Sequence, residues 1–139
     1  MQLTKLIGVL ALAPMLASAA YAGDAAEGEN LFKRCECCHS ITAEDGTKIV
    51  KGGKTGPNLY GVIGRTVGTY EGFTYGESTA AAGAAGIVWD EENLATYVAD
   101  PTAWLEEVLD DPSAKSKMTF KLKKGGEDMA AYLATFSPS

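Results

Sequence analysis

The sequence predicts an all-α fold with heavy loops, a single domain wound around something other than its own side chains. Three observations predict it. Apolar residues recur at helical spacing in several capped segments. No segment alternates convincingly enough to be a strand. Residues 41–76 carry many glycines, a Gly-Pro-Asn turn and little periodicity, and so long an irregular stretch in a small domain needs a body to wrap. With 139 residues, no repeats and no linker, one domain accounts for the chain.

The elements follow in order. "MQLTKLIGVLALAPMLASAAYAGD" has an early lysine, an apolar run and small residues before a polar switch, the pattern of a secretory signal peptide. Ala20-Tyr21-Ala22 predicts cleavage after Ala22, with Ala19 as second choice. Residues 1–22 are therefore expected to leave and residues 23–139 to fold. The apolar run is shorter than a comfortable bilayer span, and no second one follows. The expected product is exported and not membrane-embedded. Asp24 to Ser40 reads as a helix, with Asp24 as cap, Glu27 in the capping-box position, and Leu31 and Phe32 on the apolar face. "YGESTAAAGAAG" reads as a short helix of small residues. "WDEENLATYVADP" is a helix capped by Asp90 with Leu94, Tyr97 and Val98 on one stripe. Pro101 opens the next, "PTAWLEEVLDD". A lysine-rich loop follows, and Glu127 to Phe136 closes the fold as an amphipathic helix with Met129, Tyr132, Leu133 and Phe136 inward.

Charge narrows the function classes. Asp and Glu number 18 against 12 Lys and Arg, which excludes nucleic acid as the natural partner. The charge is uneven: "AKSKMTFKLKK" holds five lysines and no acid, and "WLEEVLDD" four acids and no base. A basic patch on an acidic molecule suits a directional docking face.

The chemistry is concentrated in "RCECCHS", which holds every cysteine and the single histidine of the chain. Cys35, Cys38 and His39 form C-x-x-C-H, the attachment signature of c-type haem. Residues three apart share a helix face, so two thiols there can add to the two vinyl groups of a porphyrin. The next residue, His39, then lies over the ring as an axial nitrogen. A zinc site needs four ligands, and no second ligand pair exists. A thioredoxin-like motif would want a βαβ context, and a disulfide would leave the wrapping loops unexplained. Cys37 is the odd one out, spaced wrongly for either role and expected to be a free thiol. A small buried side chain is its plainer reading; an exposed thiol joining two molecules is the sharper one.

The whole mature chain resembles the class I cytochromes c, and within them the bacterial cytochrome c2 proteins. The residues that carry this are "GDAAEGENLF", "KTGPNLYGVIGRTVG", "GFTYG", "IVWDEENLATYVADP", "KMTFKLKK" and "DMAAYLATF", in the family's order. The two residues between Phe32 and Cys35, and the long segment from Pro101 to Met118, look more like the bacterial proteins than the mitochondrial ones. The resemblance implies three main helices, short helices and long loops around one haem c, covalent through Cys35 and Cys38. It implies His39 and Met118 as the iron ligands. From the residues alone, Met1 and Met15 leave with the signal, Met129 reads as core packing, and Met118 sits in a lysine-rich loop with little other reason to be apolar. It further implies that the Pro57 carbonyl accepts from His39, that Arg65, Tyr75, Trp89 and Ser116 serve the propionates, and that Tyr97 approaches the methionine sulfur. Gly28, Phe32, Tyr132 and Leu133 match the crossing of the first and last helices.

The implied function is single-electron transport, not catalysis. The donor is a membrane cytochrome bc complex, and the acceptor a photosynthetic reaction centre, oxidase or reductase, in photosynthesis or respiration. The setting is the periplasm. The carrier is expected to be a monomer, with Cys37 able to link a dimer, and its docking edge to be ringed by Lys54, Lys115, Lys117, Lys121, Lys123 and Lys124. The rival is a five-coordinate haem peroxidase or sensor with Met118 off the iron.

Overall fold

The computed structural model describes residues 23–138. The expected signal peptide, residues 1–22, lies outside them. Asp24 starts helix α1 (Ala25–Phe32) by accepting from the backbone N–H groups of Ala26 and Glu27, which satisfies donors that no helical carbonyl can reach. The helix is shorter than the sequence suggests. After Phe32 the chain tightens: Arg34 donates to Leu31 O at 3.0 Å and Cys35 to Phe32 O at 2.7 Å. Beyond it, the carbonyls that a longer helix would use are taken from outside. Glu36 O accepts from Gly53 and Cys38 O from Gly56, each at 2.8 Å. What survives is one turn, closed by His39 N–H on Cys35 O at 2.9 Å.

Two short strands, β1 (Ile41–Thr42) and β2 (Lys48–Val50), pair antiparallel with an irregularity in register. The expectation of no strand is corrected here. The signal was Asp45-Gly46, a hairpin dipeptide, with Gly46 at φ 86° and Thr47 N–H on Asp45 Oδ1 at 2.9 Å. Strands of two and three residues are too short to show a period. A second antiparallel stretch ties residues 64–67 to 87–89: Val67 donates to Ile87 O and Trp89 to Arg65 O, both at 2.9 Å, and Gly64 to Trp89 O at 2.8 Å. It fixes Arg65 and Trp89 side by side.

The remaining helices are α2 (Glu77–Ala84), α3 (Glu91–Ala99), α4 (Pro101–Leu109) and α5 (Gly126–Ala134). Asp90 and Asn93 form a reciprocal capping box at α3. Asp100 ends α3 and caps α4, accepting from Ala103 N–H at 3.1 Å. The chief packing joins α1 to α5 and α5 to α3, so three helices frame the molecule as expected. At the first crossing a Cβ on Gly28 would overlap the Asp128 carbonyl and the Tyr132 Cβ. Only glycine lets the backbones approach so closely. Phe32 and Tyr132 then meet at 5.6 Å between ring centroids. Phe32 and Leu133 are buried, each worth about 1.5–3 kcal/mol of transfer free energy. No described helix is long and apolar enough to cross a membrane.

Candidate functional site

Between these elements lies a cavity of about 350 Å³. Cys35, Cys38, His39, Pro57, Arg65, Tyr75, Trp89, Tyr97, Ser116 and Met118 all line it. The sequence scatters them over some eighty positions, and the fold gathers every one.

The histidine end is built by the tight turn and the loop after it. Gly56 lies against the imidazole so closely that a Cβ there would overlap the ring. His39 Nδ1 lies 2.8 Å from Pro57 O. A carbonyl only accepts, so Nδ1 carries the proton and Nε2 keeps its lone pair. Burial pushes the imidazole below its usual range, with the Pro57 bond opposing, so the ring is neutral near pH 7. Asn58, whose part the sequence hides, locks the Pro57 loop to β1. Its Oδ1 accepts from Thr42 N–H at 2.9 Å and its Nδ2 donates to Thr42 O at 2.8 Å. The Pro-Asn turn was the available signal.

The thiols differ in setting. Burial pushes Cys35 up to about 11. Cys38 is held below its usual range, first by the Thr55 hydroxyl and then by Cys37. Cys37 is exposed, which overturns the plainer expectation of a small buried side chain. All three thiols border the cavity, but the turn leaves Cys37 the most exposed of them. Its sulfur stands 3.4 Å from that of Cys38.

At another wall, Arg65 is a half-buried cation. Its guanidinium donates to Asn58 O at 3.0 Å and Tyr60 O at 2.6 Å and lies 4.8 Å over the Tyr70 ring. Burial lowers its pKa. Among the described residues the one ion pair is Lys121–Asp100, so Arg65 has no acidic partner. Tyr75 OH accepts from Tyr70 N–H at 3.1 Å, which leaves its own proton to donate. Trp89 stacks on Trp104 at 5.0 Å and meets Tyr97 edge-on at 4.9 Å. The Tyr97 hydroxyl is 3.4 Å from Ser116 Oγ, so the described partner of Tyr97 is Ser116. Two methionines reach the cavity: Met118, half-buried on the loop after α4, and Met129, 1% exposed in the core on α5.

These residues fit a haem. The cavity is walled chiefly by apolar and aromatic side chains, as a porphyrin face requires. It offers a neutral imidazole with a free nitrogen and two thiols one turn apart. An unpaired guanidinium and a free phenolic proton stand ready for carboxylates, because a desolvated cation needs an anion.

Comparison with known proteins agrees. The chain is 64% identical over 121 residues to cytochrome c2 of Rhodobacter capsulatus, covering 87% of this chain and 88% of that protein. It is 51% identical over 138 residues to cytochrome c-551 of Roseobacter denitrificans, covering 99% of each. The solved cytochrome c2 from Rhodobacter capsulatus superposes with a TM-score of 0.81 at 65% identity, over 81% of this chain and 97% of that one. The cytochrome c2 structure from Paracoccus denitrificans gives 0.80 at 52% identity, over 84% and 98%. No protein-family model matches the chain. A shared sequence along nearly the full length, on a shared fold, around a cavity whose donors suit a porphyrin, settles the kinship: the chain belongs to the cytochrome c2 family of class I cytochromes c, electron carriers with one covalent c-type haem.

Proposed function

We propose that the chain carries single electrons in the periplasm, from a membrane cytochrome bc complex to a reaction centre, oxidase or reductase. Cys35 and Cys38 would hold the haem as thioethers, and His39 and Met118, which line the same cavity, would ligate its iron. The observation that carries this reading is the His39–Pro57 hydrogen bond at 2.8 Å, which fixes the tautomer, orients the ring and raises its basicity as a ligand. When bound, the haem supplies a one-electron iron couple. As a soft donor the Met118 thioether would raise the potential, and the apolar walls of Trp89, Leu94 and Val98 would disfavour extra positive charge. Arg65, Tyr75, Trp89 and Ser116, all on the cavity wall, would receive the propionates. Tyr97 acts on Met118 through Ser116, whose Oγ also accepts from Met118 N–H at 3.1 Å. With His39 and Met118 both given to the iron, no position would remain for peroxide or oxygen, which disfavours the peroxidase or sensor.

Docking falls to the lysines on and after the Met118 loop, together with Lys54. Lys54, Lys115, Lys117, Lys123 and Lys124 are exposed. Lys121 is exposed too but engaged, its Nζ 2.7 Å from Asp100 Oδ2. An acidic partner would be steered by the free members. Export with cleavage after Ala22 releases the carrier, a monomer that the exposed Cys37 thiol is able to link into a dimer.

The test is a pair of variants. Met118→Ala should abolish the red-edge absorption band of ferric methionine ligation and lower the potential. Met129→Leu conserves volume in a packed helix and should leave both nearly intact. The opposite pattern would exchange the two methionines. Intact mass should show the polypeptide from Gly23 plus one haem, and a mass without haem after periplasmic maturation ends the reading.

A further inference from the structure

Met118 sits on a stretch of chain without backbone support. Ala114 N–H donates to Asp111 O at 3.1 Å, and Leu122 N–H to Val98 O at 2.7 Å. Both side chains are buried and anchor the ends. Between them, among the described residues, no backbone-to-backbone hydrogen bond involves residues 115–121. Backbone N–H groups need partners, and a loop lacking them gains entropy by leaving. Here the partners are hydroxyls. Lys115 N–H donates to Ser78 Oγ at 3.0 Å, from α2. Ser116 N–H donates to Thr102 Oγ1 at 3.3 Å, from α4. Ser116 Oγ in turn accepts from Met118 N–H. Helices α2 and α4 pack on each other, so Ser78 and Thr102 belong to one frame.

We infer that Ser78 and Thr102 are positioning residues for Met118: two hydroxyls that pin consecutive backbone N–H groups and set how readily the sulfur leaves the cavity. Neither lines the cavity. Both act through the loop, Thr102 by way of Ser116 and Ser78 by way of Lys115. The inference rests on the reading of Met118 as the iron ligand. Its consequence is an equilibrium between a seated and a released sulfur, with each hydroxyl favouring the seated state. One net hydrogen bond is worth about fivefold, or ~1 kcal/mol. Thr102 has the larger share, because its bond is part-buried while that of Ser78 is exposed to competing water.

The probe is imidazole, added to the ferric haem-bound protein. It binds iron only when the sulfur has left, so its apparent dissociation constant reports the fraction released. Thr102→Val should tighten that constant about fivefold, and Ser78→Ala about twofold. The double variant should approach the product, because the two bonds hold separate N–H groups. Thr102→Ser restores a hydroxyl and should return the constant to that of the parent. Thr135→Ala removes a different helix-end hydroxyl bond, to Tyr132 O at 2.6 Å, and should cost stability without moving imidazole affinity. Parental affinity in both Thr102→Val and Ser78→Ala overturns the inference. So does an equal change in Thr135→Ala, which would mean general softening. A methionine band that survives Met118→Ala sinks the ligand reading and the inference with it. A band lost there, with unmoved hydroxyl variants, sinks the inference alone.

Discussion

Cys37 lies between the two cysteines proposed to bond the haem, with its sulfur 3.4 Å from that of Cys38. A third thiol so close could compete for a vinyl group. Spacing decides against it, because the one-turn bond from His39 to Cys35 sets which thiols share a face, and Cys37 is turned to the surface. Cys37→Ser should therefore mature with two thioethers, while Cys35→Ser and Cys38→Ser should each lose one. The pyridine haemochrome band counts unsaturated vinyls and so reads the outcome directly. A vinyl left free in Cys37→Ser would show that the spacing argument is wrong. Among single residues, His39 was legible because a motif names it. Thr55, Asn58, Ser78 and Thr102 were not, because a hydroxyl or amide has meaning only through its partner, and their partners lie up to 37 positions away.

At the scale of elements, the crossing of α1 and α5 depends on one missing side chain. The atoms a Cβ on Gly28 would meet are a carbonyl and a Cβ, and neither can rotate aside. Gly28→Ala should therefore push the helices apart and destabilise the haem-bound protein by about 1–3 kcal/mol. Denaturant unfolding of parent and variant measures it, and a difference under about 0.5 kcal/mol would mean that the crossing yields freely. Helix positions were largely legible, since capping residues and apolar stripes are local: α3 and α4 start where Asp90 and Pro101 indicate, and α2 falls within "YGESTAAAGAAG". The end of α1 was not. Its expected last turns lose their carbonyls to Gly53 and Gly56, and competition from a distant loop leaves no mark on the helix's own sequence.

At the scale of the whole molecule, charge sets how the carrier meets partners. The net charge is −6, yet the lysines gather beside one loop. Asp100 subtracts from that patch by holding Lys121. So exposed a pair adds little stability, but it quenches a steering charge. Asp100→Asn keeps a good helix cap and frees Lys121. On the docking reading, the rate with an acidic partner should rise on the order of twofold at low ionic strength and fall more steeply with salt. The hydrogen bond from Lys121 is the main reason that the Asp100 carboxyl is held below its ordinary value. Its contribution is thus present above the ordinary value of 3.8 and lost only as pH falls through the depressed one. Parent and variant should differ at pH 7 and converge in strong acid. Stopped-flow kinetics across salt and pH check this, and a rate that is flat or rises with salt removes the lysine face as the docking surface.

By itself, the sequence determined what is covalent and what is local: a C-x-x-C-H turn, the helix caps and the all-α class. These follow from neighbours within about a turn of one another, where spacing alone fixes geometry. The tertiary structure decided the rest. It brought Arg65 to the cavity with no acidic partner among the described residues, joined the Tyr97 hydroxyl to Ser116, paired Lys121 with Asp100, and hung the Met118 loop on Ser78 and Thr102. Each is a contact between distant positions. Its partner is chosen by how α2, α3, α4 and the loops pack, and no short-range pattern encodes that choice.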